Sequence, residues 1–326
     1  MDELLSLAAA NLGSPLILSF VLGFGAALAR SDLIFPEAAA KALSLYLLFA
    51  IGFKGGVSVS DHGIDGSLGL ALLAGVILSF ILPLIGFPLL RAMSSLDRTN
   101  AAAVAAHYGS ISIVTFVAGT SVLESQGISS EGYMVAVAAA MEAPAILSAL
   151  WLISRSDSGT RMDGDLMREI LLNGSIVLLI GAFFIGMITG QDGMAEIQAF
   201  VVTPFKGALC IFLLDMGIIA GRGLRNRAGG IPWSVVAFGV IMPLVGATLG
   251  GIAGTVLGLS TGGVMLMMIL SASASYIAVP AAMRVAVPEA DPGIYLTLSL
   301  AITFPFNLTI GIPLYLSVAS WLTGGL

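Results

Sequence analysis

A hydrophobic block of five predicted helices occurs twice in this sequence, with its motifs in the same order. The stretch ILPLIG at 81–86 matches IMPLVG at 241–246, and the serine-rich stretch YGSIS at 108–112 matches SASAS at 271–275. A third match joins MEAP at 141–144 to ITFP at 302–305. Because five is an odd number, the two copies must enter a membrane from opposite sides. The sequence therefore predicts two inverted repeats, the plan that secondary transporters use to build a site at the membrane midplane.

The composition is that of a chain that lies almost entirely in a membrane. Hydrophobic residues make up 58% of it and charged residues 10%, with a mean hydropathy of +1.04, whereas soluble domains carry about 25% charged residues. Each spanning helix needs about 20 mostly apolar residues. We expect an all-α membrane protein of ten transmembrane helices, at 14–30, 36–57, 67–92, 100–123, 131–153, 170–189, 197–221, 232–258, 262–283 and 293–321.

These ten spans leave room for one linker and for no soluble domain. The first five-helix repeat is expected at 1–154, a cytoplasmic linker at 155–169, and the second, inverted repeat at 170–326. A P-loop, a dinucleotide-binding fingerprint and a Cys/His metal spacing are all missing from the sequence, so we expect no cofactor. The pI near 4.8 argues against nucleic acid as a partner.

The positions of the arginines predict how the chain crosses the membrane. All of them fall at connections that follow odd-numbered spans, and cytoplasmic loops are enriched in arginine and lysine. We therefore expect a multi-pass protein of the bacterial cytoplasmic (inner) membrane that is surrounded by the lipid bilayer. Both termini are then expected on the extracytoplasmic side.

Spans 4 and 9 each carry a cluster of serines. Serines at i and i+2 point about 200° apart on a continuous helix, so a break near Gly109 or Ala272 would let them face one ligand. Unwound backbone is tolerated at this depth only where it lines protein or a cavity, and half-helix ends attract ions. The alternative is that the serines bond to the preceding turn or hold helices together. The predicted substrate-binding residues are Gly109, Ser110, Ser112, Ser271, Ser273 and Ser275, with a Na⁺ site near Ser110, Ser273 and Thr303.

Ionisable side chains inside the spans form the second group of candidates. A charge at the centre of a lone helix costs about 3 kcal/mol on insertion scales, so each charge needs a partner or a water-filled cavity. Glu142, which precedes Pro144, and Asp215 are candidate Na⁺ ligands or members of structural pairs. Lys54 is a candidate counter-charge, or a side chain that reaches the interface. His107 is a candidate proton relay, or a hydrogen-bonded packing residue.

The same segments resemble the sodium-dependent bicarbonate transporter family. The matching residues are spread over the chain, at Pro36-Glu37-Ala38, Ile51-Gly52, Gly55-Gly56, Gly109-Ser110, Glu142-Ala143-Pro144, Ser273-Ala274-Ser275, Pro280, Arg284, Val287-Pro288 and Gly311-Ile312-Pro313-Leu314. The resemblance implies a homotrimer of ten-helix protomers that moves bicarbonate inward with Na⁺. It also implies that the broken spans 4 and 9 hold both the substrate and the ion.

The sequence departs from the pattern of the cyanobacterial members at two site residues and in its linker. Tyr276 stands where those members are expected to carry an acidic residue, and Lys54 replaces a small polar residue. Together these changes remove a negative charge and add a positive one, so both residues are candidates for ion coupling or charge relay. The linker at 155–169 is also shorter than in those relatives, where it precedes the docking of a PII-like cytoplasmic regulator, and this argues against that partner.

The favoured function is Na⁺-coupled symport of bicarbonate, or of a similar small monovalent anion, into the cell. The main alternative is an H⁺- or Na⁺-coupled carrier of another small solute or organic anion, with Glu142 or Asp215 carrying the proton. A passive channel is a further alternative. An intramembrane hydrolase that uses a serine with His107 as base is a minor one, because a single nucleophile leaves the second serine cluster without a role.

Overall fold

Helices account for almost all of the described chain, and no strand occurs among these residues. The computed structural model describes residues 13–62, 66–154, 174–226, 232–276, 279, 280, 283, 287 and 289–324. The helices are α1 (Pro15–Leu28), α2 (Glu37–His62), α3 (Gly66–Met93), α4 (Arg98–Gly109), α5 (Ile113–Ser125), α6 (Met134–Ala140), α7 (Ala143–Ser154), α8 (Gly174–Val201), α9 (Phe205–Asn226), α10 (Trp233–Val256), α11 (Thr261–Ala272) and α12 (Pro292–Leu322). The predicted linker at 155–169 lies outside the described residues.

These helices correspond to the ten predicted spans. Within the described ranges, seven segments are long and apolar enough to cross a membrane, with α4 and α5 counted as one, and three shorter apolar segments cover α1, α6 with α7, and α11. Large apolar side chains such as Leu22, Ile188 and Val256 are exposed on the outside of the bundle, where a bilayer would cover them. Trp233 and Trp321 are exposed at helix ends, as interfacial tryptophans are expected to be. The all-α, multi-pass architecture is confirmed.

Two of the predicted spans differ from the observed helices. Span 6 was expected to end at 189, but α8 continues to Val201 after a kink at Gly190, whose φ of 57° lies in the left-handed region that glycine adopts at little cost. Span 7 consequently begins at Phe205 and not at 197. Span 5 is divided, since α6 ends at Ala140 and α7 begins at Ala143. Pro144 has no backbone N–H and cannot bond to the carbonyl of Ala140, which explains the division.

The first of two helix bundles is built from two helix pairs. α1 packs along α9, and α2 packs along α8. A Cβ atom on Gly23 would collide with the carbonyl oxygen of Leu214, and one on Gly56 would collide with that of Phe183, so these glycines allow the backbones to touch. Under the predicted repeat, span 1 corresponds to span 6 and span 2 corresponds to span 7. The pair formed by spans 1 and 7 then corresponds to the pair formed by spans 6 and 2, and the observed helix pairs are compatible with this correspondence. The inverted relation of the two halves stays a prediction.

The second bundle surrounds the broken spans. Residues 101–119 and 262–276 are all buried, with α3 and α7 packed on α4, and α10 and α12 packed on α11. α12 contains two π-helical stretches, Leu298–Thr303 and Asn307–Gly311. Stretches of this kind occur often at functional sites, and no pattern in the sequence predicts them here.

Candidate ion and substrate site

Span 4 is broken where the sequence predicts it. α4 ends at Gly109, and the backbone is extended at Ser110 (φ −94°, ψ 151°) and at Ser112 (φ −103°, ψ 105°) before α5 begins. Ser112 caps α5, since its Oγ accepts hydrogen bonds from the backbone N of Thr115 at 3.2 Å and from the Thr115 Oγ1 at 2.9 Å. The N-terminal end of α5, which carries the partial positive charge of the helix dipole, therefore lies at the break.

Span 9 is also interrupted, and its break touches the first one. α11 ends at Ala272, and Ser273 is extended (φ −80°, ψ 163°). Ser275 follows Ala272 by three residues, and its backbone N–H donates to the carbonyl oxygen of His107 over 2.7 Å. His107 lies in the last turn of α4. The two interruptions therefore lie side by side in the middle of the molecule.

Asn307 holds the carboxyl end of α11. Its Nδ2 donates to the carbonyl oxygen of Ala272 over 2.9 Å, and its Oδ1 accepts from the hydroxyl of Tyr315 at 2.8 Å. Asn307 lies in the second π-helical stretch of α12 and is 1% exposed. Asn307 is not among the predicted site residues, although a lone amide inside an apolar span is a signal for interhelical hydrogen bonding.

A small cavity lies where the two breaks meet the division between α6 and α7. Its volume is about 10 Å³, and it is lined by Leu48, Ile111, Ser112, Ile113, Glu142, Ser275 and Tyr276. A space of this size holds roughly one water molecule or a bare monovalent cation. Four of the lining residues were predicted as site residues, namely Ser112, Glu142, Ser275 and Tyr276. Their side chains offer oxygen atoms, the ligands that hard cations prefer.

Two of these oxygen atoms lack ordinary hydrogen bonds. Glu142 is 5% exposed, and its Oε2 has no hydrogen-bond partner among the described residues. The hydroxyl of Tyr276 lies near that of Ser112 but makes no hydrogen bond of ordinary geometry within the described structure. Buried polar atoms are nearly always paired, so this combination marks a place suited to a polar ligand.

The sequence of the chain matches a known family of proteins. The model of the Na⁺-dependent bicarbonate transporter superfamily matches residues 15–320, nearly the whole chain. The chain belongs to this superfamily. It is therefore a transporter and not an enzyme. The match confirms the resemblance that the sequence motifs indicate. No curated protein matches the chain.

The other serines that were predicted to bind substrate lie near the breaks but do not line the cavity. The Oγ of Ser273 donates to the carbonyl oxygen of Ile269 over 2.5 Å. This is a hydrogen bond to the preceding turn, the alternative to ligand binding that the sequence leaves open. The Oγ atoms of Ser110 and Ser271 are buried and have no partner in the described part of the chain. Gly109 has a packing role, since a Cβ there would lie 2.6 Å from the carbonyl oxygen of Ser79 in α3.

Lys54 and Asp215 are not brought to the cavity of the transporter. The Lys54 Nζ pairs with the Glu124 Oε1 at 2.8 Å, and both side chains are partly exposed. The long lysine side chain reaches the end of α5, where a carboxylate and solvent stabilise its charge. Asp215 is buried in α9, a helix that contributes no residue to the cavity wall. The pairing of Lys54 with Glu124 agrees with the alternative that its side chain reaches the interface, and a role for either charge in ion coupling stays a prediction.

Thr303 also lies outside the cavity, and its hydroxyl is already engaged. The Thr303 Oγ1 donates to the carbonyl oxygen of Gly239 over 2.7 Å and therefore accepts from the hydroxyl of Tyr108 at 2.6 Å. These bonds join α12 to α10 and to α4. Thr303 fixes the helices around the cavity, and the Na⁺ site expected near Ser110, Ser273 and Thr303 stays a prediction.

His107 packs inside the transporter. Its Nδ1 donates to the carbonyl oxygen of Ala103 over 2.6 Å, and its ring stacks on that of Tyr295 at a centroid distance of 4.5 Å. Among the described residues, no serine hydroxyl is hydrogen-bonded to this imidazole. The arrangement is that of a packing residue, and it gives the hydrolase alternative no nucleophile and base pair.

Proposed function

We propose that this transporter is a symporter that carries bicarbonate, or a similar small monovalent anion, into the cell together with Na⁺. The observation that most supports the proposal is the meeting of four oxygen-bearing side chains, those of Ser112, Glu142, Ser275 and Tyr276, in one cavity between two broken helices. Na⁺ binds to these oxygens. The anion then binds beside it, at the N-terminal end of α5, where backbone N–H groups and the bound cation both attract negative charge.

The size of the cavity supports a coupling between the two ligands. About 10 Å³ suffices for a cation but not for an anion with three oxygen atoms. The anion therefore needs α5 to move away from the wall formed by Leu48 in α2. Without Na⁺, the carboxylate of Glu142 repels the anion, whereas bound Na⁺ offsets that charge. Mutual enhancement of this kind is commonly worth about 1–3 kcal/mol.

The two bundles supply the parts needed for alternating access. α1, α2, α8 and α9 form the gate, and the broken helices with their neighbours form the core that carries the ligands. In the proposed cycle the core moves against the gate and exposes the cavity to one side at a time. The inward Na⁺ gradient drives the accumulation of the anion.

The topology and the assembly belong to the same proposal. Arg30, Arg222 and Arg225 gather at one end of α1 and α9, and the Lys54–Glu124 pair lies toward the opposite end. We place the arginine end in the cytoplasm of a bacterium and both termini outside, as the enrichment of arginine in cytoplasmic loops suggests. A homotrimer is the proposed assembly.

Uptake of labelled bicarbonate into proteoliposomes tests the proposal. An inward Na⁺ gradient is compared with an equal K⁺ gradient at constant pH and constant membrane potential. We expect accumulation with Na⁺ alone and its loss in Ser275→Ala. An absence of bicarbonate uptake under both gradients, in protein shown to be folded, would overturn the choice of substrate.

H⁺ coupling is the second candidate, and the unpartnered Oε2 of Glu142 favours it. A buried carboxyl group that crosses the membrane with the core can carry a proton in place of Na⁺. The test is uptake in Na⁺-free medium under an imposed pH gradient, with a trapped pH dye that reports proton movement. Accumulation that follows the pH gradient without Na⁺ would support this candidate over the first.

A further inference from the structure

A second cavity lies apart from the cavity between the breaks, at the contact between the gate and the core. Its volume is about 240 Å³, and its lining includes Ser14, Ser121, Gln126, Lys206, Cys210 and Leu316. These residues come from the region of α1, the end of α5, the start of α9 and the end of α12. At about 30 Å³ per water molecule, the space accommodates a small anion together with several waters.

The position of this cavity connects it to the central one. It lies where α1 begins, α5 ends and α9 begins, toward the same end of the molecule as the Lys54–Glu124 pair. In the proposed orientation this is the extracytoplasmic side. We call this second cavity the outer cavity, and the cavity between the breaks the central cavity. α5 reaches from one to the other, since Ser112 at its start lines the central cavity and Ser125 at its end lines the outer cavity. Thirteen helical residues correspond to about 20 Å.

The polar groups of the outer cavity suit an anion. Lys206 has no ion-pair partner among the described residues. Ser121 is 5% exposed, and its Oγ is buried and has no hydrogen-bond partner among the described residues. Neither aspartate nor glutamate occurs in the described lining. The lining thus offers a positive charge and a hydroxyl donor without a carboxylate to bind a cation.

We propose that this cavity is an outer anion site, in which a small monovalent oxyanion is held between the ammonium of Lys206 and the hydroxyl of Ser121. The inference rests on the proposed anion substrate and deepens it. Apolar walls formed by Leu16, Val122 and Leu316 keep the effective dielectric low and strengthen the attraction to Lys206. Because gate and core both contribute residues, their relative movement changes the cavity and passes the anion inward.

Cys210 is a natural reporter for this site. It is the only cysteine of the chain, it lines the outer cavity, and it is partly exposed. The full-length protein is placed in nanodiscs of uncharged lipid, and the rates at which an anionic and a cationic methanethiosulfonate modify Cys210 are measured relative to a free thiol. We expect the ratio of anionic to cationic rates to fall roughly two- to sixfold in Lys206→Gln. Lys41→Gln, which removes a lysine of α2 outside the cavity, is the matched control and should keep the wild-type ratio.

Protection by bicarbonate tests binding directly. At constant pH in K⁺ medium, bicarbonate should slow the modification of Cys210 in the wild type, and should do so less in Lys206→Gln and in Ser121→Ala. The outer site needs no Na⁺, whereas the central site does. Protection without Na⁺ therefore supports the outer site even if the uptake assay shows that the proposed coupling is wrong.

Three results would overturn the proposal. The first is an absence of protection over a full bicarbonate titration of folded wild-type protein. The second is equal protection in Lys206→Gln and in the wild type, which would show that the lysine does not hold the anion. The third is protection by anionic phospholipid in the nanodisc but not by bicarbonate, which would assign the site to the phosphate of a lipid headgroup.

Discussion

The backbone N–H of Ser275 donates to the carbonyl oxygen of His107 over 2.7 Å, and this bond joins the two interrupted helices. It places the segment after α11 against the last turn of α4, so that Ser275 reaches the cavity that Ser112 lines from the other side. The bond is formed between backbone atoms, and no side-chain pattern records it. The relative position of the two serine clusters therefore depends on how the helices pack.

Replacing Glu142 with glutamine tests the role of the cavity carboxyl group. Glu142→Gln keeps the size of the side chain but removes its charge, and we expect Na⁺-driven uptake to fall at least about tenfold through loss of the ligand coupling. The matched control is Glu124→Gln, which removes a carboxylate from the exposed pair with Lys54 and should transport nearly as well as the wild type. Full Na⁺-dependent uptake by Glu142→Gln would show that this carboxyl group does not bind Na⁺.

Two serines of the same cluster should behave differently. Ser275 lines the cavity, whereas the hydroxyl of Ser273 is bonded to the turn that precedes it. We therefore expect Ser275→Ala to raise the Na⁺ concentration needed for half-maximal uptake by roughly fivefold or more, and Ser273→Ala to change it little. A Na⁺ titration of initial uptake rates distinguishes the two variants. Equal effects would place the ion closer to α11 than we propose.

The Lys54–Glu124 pair should contribute little to either stability or coupling. Both side chains are partly exposed, and exposed ion pairs are worth about 0–1 kcal/mol. Lys54→Gln is therefore expected to shift the unfolding temperature only slightly and to leave the Na⁺ dependence of uptake unchanged. A marked change in Na⁺ dependence would instead support the hypothesis, drawn from the sequence, that Lys54 is a counter-charge for the site.

Two glycines of α1 should differ in their tolerance of alanine. A Cβ on Gly23 would collide with the backbone of Leu214 in α9, whereas a Cβ on Gly25 meets nothing within 4 Å. We expect Gly23→Ala to destabilise the gate by about 1–3 kcal/mol, because backbone must shift to make room. Gly25→Ala should be neutral or slightly stabilising, since alanine is the better helix former. Thermal unfolding in detergent measures both, and similar curves for the two variants would contradict the observed contact of α1 with α9.

The candidate site was predicted in part. Ser112, Ser275, Glu142 and Tyr276 were identified from the sequence and line the cavity, because hydroxyl and carboxyl groups are conspicuous in apolar spans. The apolar part of the wall, which includes Leu48 and Ile111, was not predicted. Nothing distinguishes one leucine or isoleucine of a membrane span from the many others around it.

The sequence by itself determined the apolar spans and the places where two of them break. These properties depend on residues close together in the chain, since the length of a hydrophobic stretch decides whether a helix can span, and clustered serine and glycine residues weaken a helix locally. Proline acted in the same way at the division between α6 and α7.

Only the tertiary structure decided which polar groups meet. Tyr108 and Thr303 are joined although 195 residues separate them in the chain, and Lys54 pairs with Glu124 at the end of α5 instead of facing the cavity. Among helices in lipid there is little hydrophobic force to select partners, so close packing at small residues and a few hydrogen bonds set the arrangement. These contacts depend on the fit of distant helix surfaces, and the order of residues along one span does not reveal that fit.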